Sequence, residues 1–144
     1  MTDKTIVAAI AAIAGVVSGV SGIKSAPAYP HEQMTESPFA ITYLVNNEIN
    51  IGPVGSKKSL ASIAVDVLTV RRDIALDLAI LLPLVDTISA ALVSEMTPSG
   101  DIFSGTIDTF ERLLVEFIPS IDYAGVNMIG YRFVMEGVKL LVSL

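Results

Sequence analysis

Large apolar residues open this chain at Ile6, Ile10, Ile13, Val17 and Val20. The steps between them are four, three, four and three residues, which puts all five on one side of a helix. They lie in an uncharged run from Thr5 to Ile23, roughly half of it Ala, Gly, Ser or Thr. Ala9, Ala11, Ala12, Ala14, Gly15 and Ser18 fall largely on the other sides. A bulky stripe on a small-residue helix suits docking onto a sheet. Gly15, Ser18, Gly19, Ser21 and Gly22 predict fraying at its far end.

Two other readings of this run stay open. A membrane span needs about 20 predominantly large apolar residues, and small residues also pack helices together in lipid. A signal peptide would find small residues for cleavage at Ser25-Ala26-Pro27-Ala28. Against it, Met1-Thr2-Asp3-Lys4 has no net positive side-chain charge.

Further along, the period changes to two. Lys24 to Ser37 is a connector, made extended by Pro27 and Pro30, that Tyr29 and Met34 would order by packing. Pro38 to Val45 predicts a strand, Asn46-Asn47 a turn, and Glu48 to Val54 a second strand. Gly52, Pro53, Gly55 and Ser56 mark a bend. Lys58 to Arg71 predicts a long third strand. Ile63, Val65, Val67 and Thr69 share one face of it, and Ala64, Asp66, Leu68 and Val70 the other. Both faces are apolar enough to be covered.

Asp73 then predicts the N-cap of a second helix, with Asp77 in its first turns. Leu78, Leu82, Val85, Ile88, Leu92 and Met96 recur at helical steps, across an internal Pro83 that should kink the helix or reset its start. Thr97-Pro98-Ser99-Gly100 ends it. Thr106 to Ile118 and Asn127 to Val142 predict two more strands, with Ser120 to Gly125 as their loop. In the last strand the apolar parity flips after Gly137, the mark of a β-bulge.

The resulting order is α-β-β-β-α-β-β. It predicts an α+β fold: a mostly antiparallel sheet of about five strands with both helices on one face. The 144 residues fit one domain, 1–144, large enough to bury a core.

Composition narrows the function. Apolar residues make up 52% of the chain and charged residues only 17%, so part of the apolar surface is expected to meet other subunits. The net charge of −6 disfavours gripping DNA phosphates. The absence of Cys excludes disulfides, thiolate metal sites and thiol catalysis. His31, the sole histidine, sits in the Pro-rich connector with no nucleophile elbow nearby. No spacing among the carboxylates matches an EF-hand or a metalloprotease helix. Gly52 to Lys58 lacks the phosphate-loop spacing, and Pro53 removes a donor amide. No catalytic, cofactor-binding or metal-ligating residues are expected.

The chain resembles the tail terminator proteins of long-tailed bacteriophages. The resemblance rests on the first helix ending in Gly22-Ile23-Lys24-Ser25-Ala26-Pro27-Ala28-Tyr29-Pro30-His31-Glu32 and on the Pro38-Phe39-Ala40 strand. It rests equally on the Gly-punctuated hairpin, the strand ending Val70-Arg71-Arg72-Asp73, the Pro-containing helix, and the final Gly125-Val126-Asn127-Met128-Ile129-Gly130-Tyr131-Arg132-Phe133. It implies a structural virion protein, not an enzyme, assembled in the host cytoplasm. Six copies would form a ring at the head-proximal end of the tail tube. The ring would end tube polymerisation and join the tube protein to the head connector. An acidic lumen would let DNA pass without sticking. Lys57, Lys58 and Arg132 are the expected subunit-interface residues, and Glu48 and Asp122, placed in loops, the expected lumen-facing acids. Three alternatives stand beside this reading: another ring-forming neck or tail protein, a single-span membrane protein anchored by residues 5–23, and a small-ligand binding module between helix and sheet.

Overall fold

The computed structural model describes residues 5–27, 36–52, 57–96, 103 and 105–142. Two helices, α1 (Ile6–Ser18) and α2 (Ile74–Ser94), lie on one face of a four-stranded antiparallel sheet. The strands are β1 (Phe39–Ile51), β2 (Lys57–Val70), β3 (Arg112–Tyr123) and β4 (Val126–Val142), in the spatial order β1-β2-β4-β3. Two hairpins, β1-β2 and β3-β4, are joined through α2. Because β4 pairs with both β2 and β3, those two strands run the same way and α2 makes a crossover between them with β4 inserted.

The fold class agrees with the sequence reading, but the strand count does not. Asn46-Asn47 does not turn the chain. β1 runs through it with a register shift between Leu44 and Asn46, so the two expected strands are one bulged strand. Asn suits bulges and turns alike, and continuous pairing with β2 decides between them. The bend expected over Gly52 to Ser56 has residues 53–56 outside the described residues, as do Tyr29, His31, Met34 and the Thr97–Gly100 helix end.

The last two strands also shift. β3 begins at Arg112 rather than Thr106, and residues 120–123 belong to it rather than to a loop. The hairpin turn is only Ala124-Gly125, both at positive φ (53° and 81°), the two-residue geometry that matches strand twist. Phe103, Ile107 and Phe110 precede the strand and fill the core. The bulge at Gly137 is present. Its φ is 69°, and the β2-β4 register shifts between Ala61 and Ile63, opposite it.

The Asp73 capping signal is followed, and α1 has a cap the sequence reading did not name. Thr5 caps α1 by accepting the Ala8 N–H, and Asp73 caps α2 by accepting from Ala75 and Leu76. α1 buries Ile13 and Val17 as expected, but also Ala9 and Ala14, whose small side chains face the core instead of solvent. Gly15 lies inside the helix, which ends at a Gly19 cap. α2 continues through Pro83. Its buried line is Asp77, Leu81, Leu84, Ile88 and Leu92, so Leu82, expected inside, is half exposed. Asp77 is tolerated inside because it accepts the Arg72 N–H at 2.9 Å.

β2 is covered on both faces. Ala61, Ile63, Val65 and Val67 meet the helices together with Ala40 of β1 and Ile129, Phe133 and Met135 of β4. On the other face Leu68 joins Phe39 and Met128 in a second cluster. Among the described residues, those packed on that cluster come from the strands: Ile41, Val70, Ile118, Ile121 and Tyr123. Phe39 of β1 and Tyr123 of β3 stand on opposite edges, three strand spacings or ~14 Å apart in a flat sheet. Their ring centroids are 5.3 Å apart, so the sheet curls enough for one side chain from each edge to meet. Gly130 permits this. It pairs with Leu68, and a Cβ there would lie 1.9 Å from the Val67 carbonyl oxygen.

Gly130→Ala should therefore cost about 3 kcal/mol or more by forcing β2 from β4. Gly15→Ala, with nothing within 4 Å of its Cβ, should gain about 0.5–1 kcal/mol from helix propensity. Urea unfolding of both variants checks the pair; a harmless Gly130→Ala would reject the close approach.

Candidate functional site

Strand register brings four residues into one rung across the face that the helices leave open. Ile41, Asp66, Arg132 and Glu116 stand in line on β1, β2, β4 and β3. Their neighbours Val65, Val67 and Phe133 point the other way into the core, so alternation commits the rung to the open face. Directly opposed residues in antiparallel strands have Cβ atoms about 5 Å apart, right for a salt bridge.

Arg132 uses that spacing for a two-pronged contact with Asp66. Its Nε reaches Oδ1 at 2.8 Å and its Nη2 reaches Oδ2 at 3.1 Å. The Asp66 side chain is only 7% exposed, the Arg132 side chain 34%. Tyr43 donates its hydroxyl to the same carboxylate, at 3.3 and 3.2 Å, and its ring lies 5.9 Å from the guanidinium carbon. The hydrogen bond to Asp66 pushes the Arg132 pKa up, and the charges of Asp66 and Glu116 add to this against a smaller loss of solvation. The Tyr43 phenol is also pushed up, first by burial and then by the Asp66 charge, with Arg132 opposing. Asp66 has its lone pairs occupied by Arg132 and Tyr43. The cluster ties three strands together and presents no free base or nucleophile.

The residues expected at a subunit interface do not gather in one place. Arg132 is engaged with Asp66 of its own chain. Lys57 and Lys58 start β2 at the far end of the sheet, Lys57 exposed and across from Ile51, Lys58 half-buried and across from Asn50. Glu48 lies in a strand, as the strand read from Glu48 onward expects, and Asp122, expected in the loop, lies in β3; both are exposed. Glu48 pairs with Leu60, whereas Asp122 pairs with Asn127 beside the Val70–Met128 rung. Leu60 and Val70 are ten residues apart on β2, ~33 Å, so the two acids sit at opposite ends of the sheet.

Two apolar surfaces escaped the sequence reading. The outer face of α2 exposes Leu76 (65%), Ile80, Leu82 and Val93, with Asp86 as its exposed charge. The free end of β1 exposes Leu44, Val45, Ile49 and Ile51 (85%). The signal for the first was present: α2 is apolar round most of its circumference, which a single buried stripe does not require. For the second, only the strand order shows that β1 is an edge and that the helices stop short of its end.

Both edges carry devices that discourage further strand pairing. β3 has Pro119 and a register shift between Ile118 and Ile121; β1 has its bulge, and at its start Ala40 donates to the Ser25 carbonyl. Among the described residues no group of three or more His, Asp or Glu side chains is placed to hold a metal. α2 is long and apolar enough to cross a membrane by length and composition, whereas α1, at 13 residues, is shorter. The class defined here is a two-layer α+β domain with a curled sheet. No protein-family model and no curated protein matches the chain.

Arg132→Met leaves Asp66 buried without its cation and should destabilise the fold by about 2 kcal/mol, reduced from a fully buried pair by the exposure of Arg132. Loss of assembly at unchanged urea stability would instead assign Arg132 to a subunit bridge. Alkaline titration checks the tyrosine. With its folded pKa above the ordinary 10.0, the Tyr43 contribution to stability is complete below pH 10 and is lost as pH rises through the folded pKa. Tyr43→Phe should remove a phenolate absorbance that titrates above pH 10 and flatten the stability decline above pH 10.

Proposed function

We propose that this chain is a structural protein of a long-tailed phage that assembles as a ring on the head-proximal end of the tail tube. The ring ends tube polymerisation and joins the tail to the head connector while DNA passes through. The observation that carries the reading is the pair of exposed apolar surfaces, on α2 and on the end of β1. Two dissimilar sticky surfaces on one small domain suit heterologous contacts, the kind that close into rings. The resemblance in element order and sequence anchors supplies the phage context, with six copies as its implied number. The net charge of −6 suits a conduit that repels phosphates. Glu48 and Asp122 are the proposed lumen acids. Lying at opposite ends of the sheet, they would act at different heights of the channel. Of the three expected subunit contacts, Lys57 and Lys58 are kept as proposed contacts, while Arg132 is committed to Asp66 of its own chain. A neighbouring ring of the neck would use the same surfaces.

A second reading has its own observation. α2, rather than the run at residues 5–23, has the length and apolarity of a membrane span. At ~1.5 Å per residue the 13-residue α1 covers ~20 Å, short of a ~30 Å hydrocarbon core. α2 would have to leave the sheet, exposing Leu81, Leu84, Ile88 and Leu92 together with Asp77 to lipid.

Detergent-free expression followed by negative-stain imaging, alone and with tail tubes, checks both. Soluble rings, or protein capping tube ends, are expected. Recovery only from the membrane fraction with detergent would overturn the ring and make α2 an anchor. A monomer that ignores tubes would overturn it in favour of a binding module.

A further inference from the structure

We infer that the outer face of α2 on one copy seats on the free end of β1 on the next, with Asp86 against Lys57. This rests on the ring reading and names the two surfaces that would form its contact. The first surface comprises Leu76, Ile80, Leu82 and Val93. Asp86 lies on the same side, one turn beyond Leu82, and Pro83 and Ala90 between these residues are exposed as well. A carboxylate in the middle of an apolar face needs a cation when that face is covered.

The second surface supplies one. After the bulge, Ile49 and Ile51 pair with Ser59 and Lys57. Ser59 is buried and shares the parity of Ala61 and Ile63, so Ile49, Ile51 and Lys57 point to the helix side of the sheet. Leu44 points the same way from before the bulge, at the position paired with Ile63. Lys57 therefore stands directly across from the most exposed of these residues, Ile51 at 85%. Among the described residues the first patch carries one acid, Asp86, and the second one base, Lys57. They lie on different elements, so one copy can offer both and the contact is heterologous.

Area supports a second copy as the occupant. The two patches expose roughly 800 Å² of apolar residue surface together, and with polar rims this approaches the ~1,200 Å² at which specific interfaces begin. A lipid surface fits less well. Asp73, Asp77 and Asp86 accompany α2, and no Lys or Arg occurs between Arg72 and Arg112, whereas helices that lie on anionic membranes are basic on their polar face.

The experiment is sedimentation of the full chain with Asp86→Lys and Lys57→Asp, each alone and then mixed one to one. Each single variant should weaken association by about tenfold or more. In the mixture, the lysine introduced in one variant meets the aspartate introduced in the other, and the native pair forms at the alternate contacts. Assembly should return to within about threefold of the wild type. Leu82→Asp alone should stay monomeric while keeping the wild-type circular dichroism. Wild-type rings that tolerate both single changes, or variants that mixing does not rescue, would overturn this contact and leave the ring standing. A wild-type chain that is monomeric both alone and with tubes would overturn the contact and the ring together.

Discussion

The fold depends on how a four-stranded sheet disposes of the face its helices do not cover. Two helices suffice for one side, where the β2 and β4 residues meet α1 and α2. Left flat, the sheet would expose Phe39, Leu68 and Met128 on the other side to water. It curls instead, until an aromatic ring from each edge meets over that cluster. The curl needs a place where neighbouring backbones can close up, and Gly130, packed on the Val67 carbonyl, is that place. One missing side chain thus lets β2 and β4 close up beneath this cluster.

The rung through Asp66 and Arg132 marks where this apolar cover gives way to polar surface. A buried ion pair contributes little net stability compared with packed hydrophobic residues. Its value here is in register. A one-residue slip of β2 would turn Asp66 into the core and Val65 and Val67 out of it. Tyr43 from β1 and Arg132 from β4 both converge on the same carboxylate, so three strands are indexed to one another at a single point.

Outside these two devices the chain leaves much apolar surface in solvent, in keeping with its composition. Most of it lies on α2 and on the end of β1, with Val7, Leu114, Phe117 and Val126 exposed elsewhere, while the edge backbone is blunted by Pro119 and by bulges. A protein that limits strand pairing at its edges and keeps side-chain patches open is suited to partners that dock by faces. Under the ring proposal, assembly then proceeds through defined side-chain contacts, with less risk of open-ended sheet extension.

Some of this was legible in the residues alone because it is local. Asp73 caps the helix it precedes, Gly137 bulges the strand it interrupts, and the two apolar faces of β2 follow from alternation; each depends on neighbours within a few positions. Other features were misread because local chemistry permits more than one answer. Asn46-Asn47 suits a turn or a bulge, and pairing with β2 selects the bulge. α2 is apolar on several sides, so periodicity offered a stripe through Leu82, while the sheet selected the one through Leu81 and Leu84. The ion pair joins residues 66 positions apart, and nothing in their local sequence links them. The sequence by itself determined the two helices, the Asp73 cap and the α+β class, because those are set by short-range sterics and hydrogen bonding. Tertiary structure alone decided which strands are edges, which side of α2 is free and which cation meets Asp66, because these follow from strand order and register between distant segments.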